Sequence, residues 1–293
     1  MKQRELWLLC VPIIVWVAIF CYYPMYGLLM AFVDYVPGRE IWQCDFVGLK
    51  YFARFVTGND FPRLLRNTLA MSGLSLTVGF VCPILFAFML NELGNLKIKK
   101  FVQTASYLPH FISWVIMFSL MSSLFGSSGL VNSLMSKFGA EMTVNILTTD
   151  KHVWLIQALL YTWKNLGWNA IIYFAAITGL DQEVNEAAMI DGASRWQRIL
   201  HITIPLLMPT FFVLLIMSIG NFLNSGIDQY LAFCNALNKE HIEVLDLYVY
   251  NLGIGSGQIS FSVAVGVMKS VIALILFTFA NTASKKIRGT SVF

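Results

Sequence analysis

Long apolar runs alternate with short charged ones along this chain, and the alternation predicts its elements. Apolar runs of about twenty residues or more, long enough to cross a bilayer as a helix, fall near 6–33, 68–90, 105–125, 153–180, 206–226 and 261–281. The first run resembles a leader peptide only at its start. It outruns the apolar core of about 7–15 residues that leaders carry, shows no small-x-small cleavage pattern, and is expected to stay as a span. Between spans one and two, 34–67 is mixed and polar, with Pro37-Gly38 as a turn. Within it Leu49, Phe52 and Phe55 recur at helical spacing over 48–56, which places that piece along the outer interface. Polar excursions follow at 130–152 and 228–260, and no fixed-period repeat or low-complexity tract divides the chain. The pattern therefore predicts one all-α polytopic membrane domain over 1–293 with six transmembrane helices.

Composition agrees and narrows the classes. Hydrophobic residues make up 57% and charged residues 12% of the chain. A soluble domain carries about 25% charged residues, so too little polar surface exists here for a water-soluble fold. The net charge of +4 is modest and gathers at span ends, which is a topology signal and not a nucleic-acid footprint. Lys2, Arg4, Lys97, Lys99, Lys100, Arg195, Arg198, Lys285, Lys286 and Arg288 all fall on one side of a six-span arrangement, in short loops and termini. That density puts both termini in the cytoplasm. Lys164 and Lys269 fall within spans, either snorkelling to an interface or facing the bundle; the depth of Lys269 favours the bundle. Cys10, Cys21, Cys44, Cys82 and Cys234 show no metal-ligand spacing and read as small buried hydrophobes. A Cys44–Cys234 bridge is the one pairing left open.

A polar stretch between two apolar ones runs over 179–205, with four acids, two arginines and one histidine. A short helix is expected from Asp181 to Ile190, with Ala187 and Ala188 making one face thin. Asp191-Gly192 breaks it, because glycine tolerates the positive φ of a sharp turn. Ser194 and Gln197 have the S-x-x-Q spacing of a capping box that restarts a helix. Pro205 and Pro209 close that element and aim the chain back into the membrane. The expectation is a folded helix–turn–helix knob.

Glu186-Ala187-Ala188, three residues, Gly192, nine residues and Ile202-Thr203-Ile204-Pro205 resemble the EAA loop of ABC-importer membrane subunits, with Ile204 in place of leucine. More of the chain resembles the carbohydrate-uptake branch, the MalF/LplB-like, binding-protein-dependent permeases of polysaccharide importers. The runs that carry this are 22–27 (YYPMYG), 46–52 (FVGLKYF), 66–69 (RNTL), 107–114 (YLPHFISW) and 226–229 (GIDQ). Asn251 departs from it, where arginine is expected. The resemblance implies an ABC importer type I permease fold with a cytoplasmic coupling helix. Glu186, Ala187, Ala188, Asp191, Gly192, Ile202 and Pro205 would then couple to an ATPase. It further implies a second related permease as heterodimer partner, two ATPase subunits that bind ATP and Mg, and an extracellular sugar-binding lipoprotein at a bacterial cytoplasmic membrane.

No G-x-x-x-x-G-K-[ST] occurs, so the chain has no P-loop of its own. Gly253-x-Gly255-x-Gly257 reads as a flexible outer loop with no helix start after it. No catalytic cluster stands out in the spans, so neither an enzyme nor a resident cofactor or metal is expected. A sugar path needs aromatic platforms interleaved with amides and carboxylates. Trp163, Lys164, Asn165, Trp168, Asn169 and Tyr173 in span four supply them, as do Asn221, Asn224 and Asp228 near the end of span five. Asn165 and Asn169 share one helix face, Lys164 and Trp168 another. Each asparagine has an alternative role as an interhelical hydrogen bond, and the tryptophans as an interfacial belt. The alternative function is an ion-gradient-driven secondary transporter acting alone, which calls for acids inside the spans and an inverted repeat.

Overall fold

The computed structural model describes residues 3–139, 145, 147, 150, 152–224 and 226–288. Nine positions of the excursion expected at 130–152 lie outside the described residues. What is described is nearly all helix, apart from loops and an isolated antiparallel bridge between Val33 and Phe46.

The chain opens as α1 (Gln3–Val17), which passes through a π turn (Ala18–Tyr22) into a 3₁₀ stretch (Tyr23–Phe32). A short α2 (Lys50–Val56) precedes the long α3 (Asp60–Asn91). Next, α4 (Leu96–Tyr107) ends in a 3₁₀ turn (Leu108–Phe111), followed by α5 (Trp114–Phe125) and α6 (Leu130–Lys137). Then α7 (Val153–Thr178) leads to α8 (Gln182–Ile190). A continuous helix follows, made of α9 (Arg195–Arg198), a second π turn (Ile199–Thr203) and α10 (Ile204–Gly220). The chain closes with α11 (Asp228–Phe233), α12 (Lys239–Ile242), α13 (Leu245–Tyr250), a third π turn (Asn251–Gly255) and α14 (Ile259–Arg288).

Among the described residues, five stretches are long and apolar enough to cross a membrane: Trp7–Phe32, Asp60–Asn91, Trp114–Lys137, Arg195–Gly220 and Ile259–Lys286. The 26 residues of α7 are long enough, but Gln157, Lys164, Asn165 and Asn169 leave it too polar to join them. Two expected starts move. The third span begins at Trp114 and not at 105, because Pro109 disrupts helix over 108–113 and Ser113 caps a new start, its Oγ accepting from Ile116 N at 3.3 Å. The helix that leads into the fifth begins at Arg195, ahead of 206. Pro205 does not end the preceding helix, since the π turn before it widens the winding where the proline ring would meet the i−4 carbonyl. Pro24 follows the first π turn in the same way.

The described residues form two compact units. One comprises 1–62 and 245–272. Its centre is Phe55, 2% exposed and ringed by Phe61, Tyr248 and Phe261. The buried face of α2 is thus Tyr51 and Phe55, one turn apart, while Leu49 is exposed, unlike the face expected from sequence. The Tyr51 hydroxyl donates to Asp34 at 2.7 Å and Tyr35 N donates to Ser260 Oγ at 2.9 Å. Lys269 pairs with Asp246 of α13, so its charge is met by a carboxylate of the same unit. The 253–257 run is not loop alone: it includes the third π turn, and α14 starts at Ile259.

The other unit comprises 63–244 and 273–293. Phe80 and Ala87 of α3, Ala170, Tyr173 and Ile177 of α7, and Leu207 of α10 form its core. At Gly167 an added Cβ would sit 2.4 Å from Ser106 O, so only glycine lets α4 lie this close on α7. Buried polar groups hold the short helices: Asn67 Nδ2 donates to Glu240 O at 2.8 Å and Glu243 O at 3.1 Å. Gln229 Nε2 donates to Gln157 O and Oε1 at 2.9 and 2.8 Å. The five cysteines are free thiols and none is buried as expected: Cys10 and Cys21 are exposed, and Cys44, Cys82 and Cys234 are half-buried.

Candidate functional site

Two features stand out, an elbow between two helices and a polar cavity. The elbow is built by local chemistry. Asp181 caps α8, its Oδ1 accepting from Glu183 N at 2.9 Å. At the other end Gly192 takes φ +80°. Its N–H donates to Met189 O at 3.1 Å and that of Ala193 to Ala188 O at 2.9 Å. These two bonds are a Schellman motif with glycine at the left-handed position. The capping box then restarts the chain: Gln197 N donates to Ser194 Oγ at 3.4 Å and Ser194 N to Gln197 Oε1 at 2.7 Å. Two turns of defined geometry in succession make a rigid corner.

Glu186, Ala187 and Asp191 of this corner are exposed. Asp191, Gly192 and Ile202 line a recess of about 400 Å³ with Arg198 and His201. The Pro205 ring stands at the N-terminus of α10. Sequence reasoning missed the apolar surface of the corner: Val184, Met189, Ile190 (86% exposed) and Trp196 (73% exposed) all face solvent. Four large apolar side chains open on a corner otherwise rich in charge mark an interaction surface.

The cavity of about 420 Å³ lies among α3, α7, α10 and α11. Its polar lining consists of Ser72, Ser75 and Ser218, then Asn169, Asn221 and Asn224, then Tyr161, Tyr173 and Tyr230. A second cavity, of about 790 Å³, shares Tyr161 and Asn224 with it and adds His110, Lys164, Asn165 and Asp228. The structure thus brings seven of the nine expected path residues to these two cavities. Trp163 and Trp168 line neither. Instead the Trp168 ring stacks on His110, 4.5 Å between centroids and 1° from parallel.

Lys164 neither snorkels nor points a free ammonium into the cavity. It is 6% exposed, and its Nζ donates to Pro109 O at 3.1 Å, His110 O at 2.6 Å and Ile112 O at 2.6 Å. Those carbonyls belong to the break between α4 and α5, where helix bonding lapses, so the lysine supplies the missing donors. Asn165 Nδ2 donates to Tyr161 O at 2.9 Å, leaving its Oδ1 to face His110 Nδ1 at 2.9 Å. Lys164, Asn165, Gly167 and Trp168 hence clamp 106–112 from one turn of α7. The serines of α3 were missed by sequence reasoning, although Ser72, Ser75 and Gly79 recur at helical spacing on one face.

Comparison with known proteins gives these features a context. Residues 79–289 match the family model described as binding-protein-dependent transport system inner membrane component. The chain is 41% identical to the polygalacturonan/rhamnogalacturonan transport system permease protein YteP of Bacillus subtilis (strain 168), over 100% of this chain and 91% of that protein. It is 39% identical to Protein LplB of the same organism, over 100% of this chain and 92% of that one. In the crystal structure of a bacterial alginate ABC transporter in complex with an alginate pentasaccharide-bound periplasmic protein, one chain superposes with a TM-score of 0.90. The two share 36% identity, over 99% of this chain and 97% of that one. Apolar helices of spanning length, a match over most of the length and relatives at this identity converge: the chain belongs to the binding-protein-dependent transport system inner membrane components and is a multi-pass permease of the inner membrane.

Proposed function

We propose that this chain forms half of the translocation pathway for an oligo- or polysaccharide in an ABC importer, as a single type-1 transmembrane domain of six spans with α7 as the sixth. A second related permease completes the pathway as heterodimer partner, two ATPase subunits bind ATP and Mg, and an extracellular sugar-binding lipoprotein delivers the substrate. The relatives, among them a polygalacturonan/rhamnogalacturonan permease and an alginate importer crystallised with its periplasmic protein, support that assembly. Both termini and the elbow are assigned to the cytoplasmic side by the density of lysine and arginine there.

The observation that carries the proposal is the elbow: a rigid, doubly capped corner with Val184, Met189, Ile190 and Trp196 exposed. A groove on an ATPase subunit would cover that surface, with Glu186, Ala187, Ala188, Asp191, Gly192, Ile202 and Pro205 setting its shape. Closure of the ATPase dimer on ATP would then move the corner as a body and shift the spans between inward- and outward-open states. The continuous helix from Arg195 to Gly220 gives that movement a stiff arm. The cavities supply the path, with Lys164 and Asn165 holding its wall and Asn169, Tyr173, Asn221, Asn224 and Asp228 facing the substrate.

The test uses the full complex in lipid vesicles. Glu186→Lys and Gly192→Trp are expected to leave insertion intact while ATP hydrolysis continues without saccharide uptake. Unchanged uptake in both variants, or labelling of residues 181–204 from outside intact cells, would refute the proposal.

A further inference from the structure

The recess in the elbow holds a donor that nothing described in this chain satisfies. Arg198 lines it together with Asp191 and His201. The Arg198 Nε is buried, and no acceptor among the described residues lies within hydrogen-bond reach of it. Asp191 shares the recess without pairing with the guanidinium, and the neighbouring Arg195 pairs instead with Glu92, at 3.8 Å. A buried N–H without an acceptor is unfavourable, the more so on a charged group. Such a donor calls for an acceptor, and the recess of about 400 Å³ leaves room for one.

The guanidinium itself selects the acceptor. Its Nε–H and the adjacent Nη–H lie side by side, and a carboxylate takes both at once. The surroundings then separate a lipid headgroup from a protein side chain as the source of the anion. Asp181, Glu183, Glu186 and Asp191 are all exposed on the corner, so an anionic leaflet repels it. A protein partner can meet those acids with a largely basic surface and still set a single acid opposite Arg198. Ile190 and Trp196, each next in sequence to a residue that lines the recess, are 86% and 73% exposed. A cover that buries both side chains closes the recess as well, which describes a groove on a folded subunit.

We infer that Arg198 is the charged anchor of the elbow: it takes a carboxylate side chain from the groove of the ATPase subunit, an assignment that rests on the coupling role proposed above. An arginine enclosed among apolar contacts is the kind of residue on which interface affinity concentrates. The pair forms only when the ATPase is seated, so it adds to the hold on the corner and not to the stability of this chain.

The full complex is placed in nanodiscs of neutral lipid with a fluorophore on the ATPase subunits, and their release on dilution is timed. Arg198→Met is expected to speed release about thirtyfold, the effect of removing one partner of an enclosed charge pair. Arg198→Lys keeps the charge but not the fork and should recover only part of the hold. Arg195→Met removes the same charge from a side chain that is 76% exposed and should change release by less than about threefold. Arg198→Glu is then combined with arginine at each Asp or Glu of the ATPase groove in turn, and one such swap should restore slow release. Wild-type release in Arg198→Met, or equal acceleration by Arg195→Met, overturns the inference, and so does an Arg198→Glu that no swap rescues. If Arg198→Met lowers the melting temperature of the complex, the swaps decide, because a folding defect is not repaired from the ATPase side. An effect of Arg198→Met confined to discs containing anionic lipid assigns the recess to a headgroup and overturns the inference. Each of these outcomes leaves the coupling role standing, whereas a wild-type complex that retains no ATPase overturns both.

Discussion

Replacing Lys164 by methionine keeps the length of the side chain and removes three donors from the break between α4 and α5. Each hydrogen bond to a charged group contributes about 1.5–3 kcal/mol, so three give roughly 5–9 kcal/mol before other terms. Removing the ammonium also removes the cost of desolvating it, which offsets several kcal/mol. The balance is a loss of about 3 kcal/mol, because the His110 and Ile112 carbonyls lose these donors while Pro109 O keeps the 3.3 Å bond from Ile112 N. The break should loosen locally, since Gly167 still seats α4 on α7 while the wall of the second cavity is released. Thermal unfolding of the detergent-solubilised complex measures the stability term. A cysteine introduced at Val115, which lines that cavity, reports on opening through its rate of reaction with a maleimide. Lys164→Met should lower the melting temperature and speed labelling, and Lys164→Arg should recover much of both. An unchanged melt together with unchanged labelling in Lys164→Met would show that the three bonds hold nothing in place.

Gly192→Ala puts a Cβ at φ +80°, at a strain of about 1–2 kcal/mol; sugar moved per ATP hydrolysed should fall while the yield of inserted protein stays level. Gly167→Leu drives a side chain into Ser106 O, so the yield of monodisperse complex in size-exclusion chromatography should drop severely. Arg63 meets Glu243 at 2.9 Å and Glu243 is 2% exposed. Arg63→Ala removes the closer of the two cations, with Lys239 standing at 3.8 Å, and should cost about 3 kcal/mol in thermal unfolding, recovered in large part by Glu243→Gln in the same chain.

What the sequence disclosed here is what short-range chemistry decides. The box formed by Ser194 and Gln197, the turn at Gly192 and the end of α8 at Ile190 each depend on residues within one turn of one another, and they stand as read. The helix of the third span starts later than expected because apolarity does not reveal where helix bonding lapses, and that of the fifth starts earlier because the π turn lets the winding run through Pro205. Tyr107 and Trp114 look alike to a hydropathy pattern, and only the donors of Lys164 show where the backbone opens. On α2 the pattern picked out Leu49, Phe52 and Phe55, whereas Tyr51 packs inside beside Phe55 and its hydroxyl reaches Asp34. Asn165, Asn169, Asn221 and Asn224 drew attention because an amide in a span is costly without a use, and they line the two cavities. Trp163 and Trp168 were grouped with them by type, yet Trp168 spends its ring on His110.

The π turn at Ile199–Thr203 makes the heading of the elbow a matter of residue count. One extra residue in a helix turns everything before it by about 100° relative to everything after it. Shortening that turn by a single residue would leave the buried side of α10 where it is and swing Trp196 and its neighbours to another compass bearing. A homologue lacking the wide turn would accordingly meet its ATPase from a different azimuth, with the same motif intact.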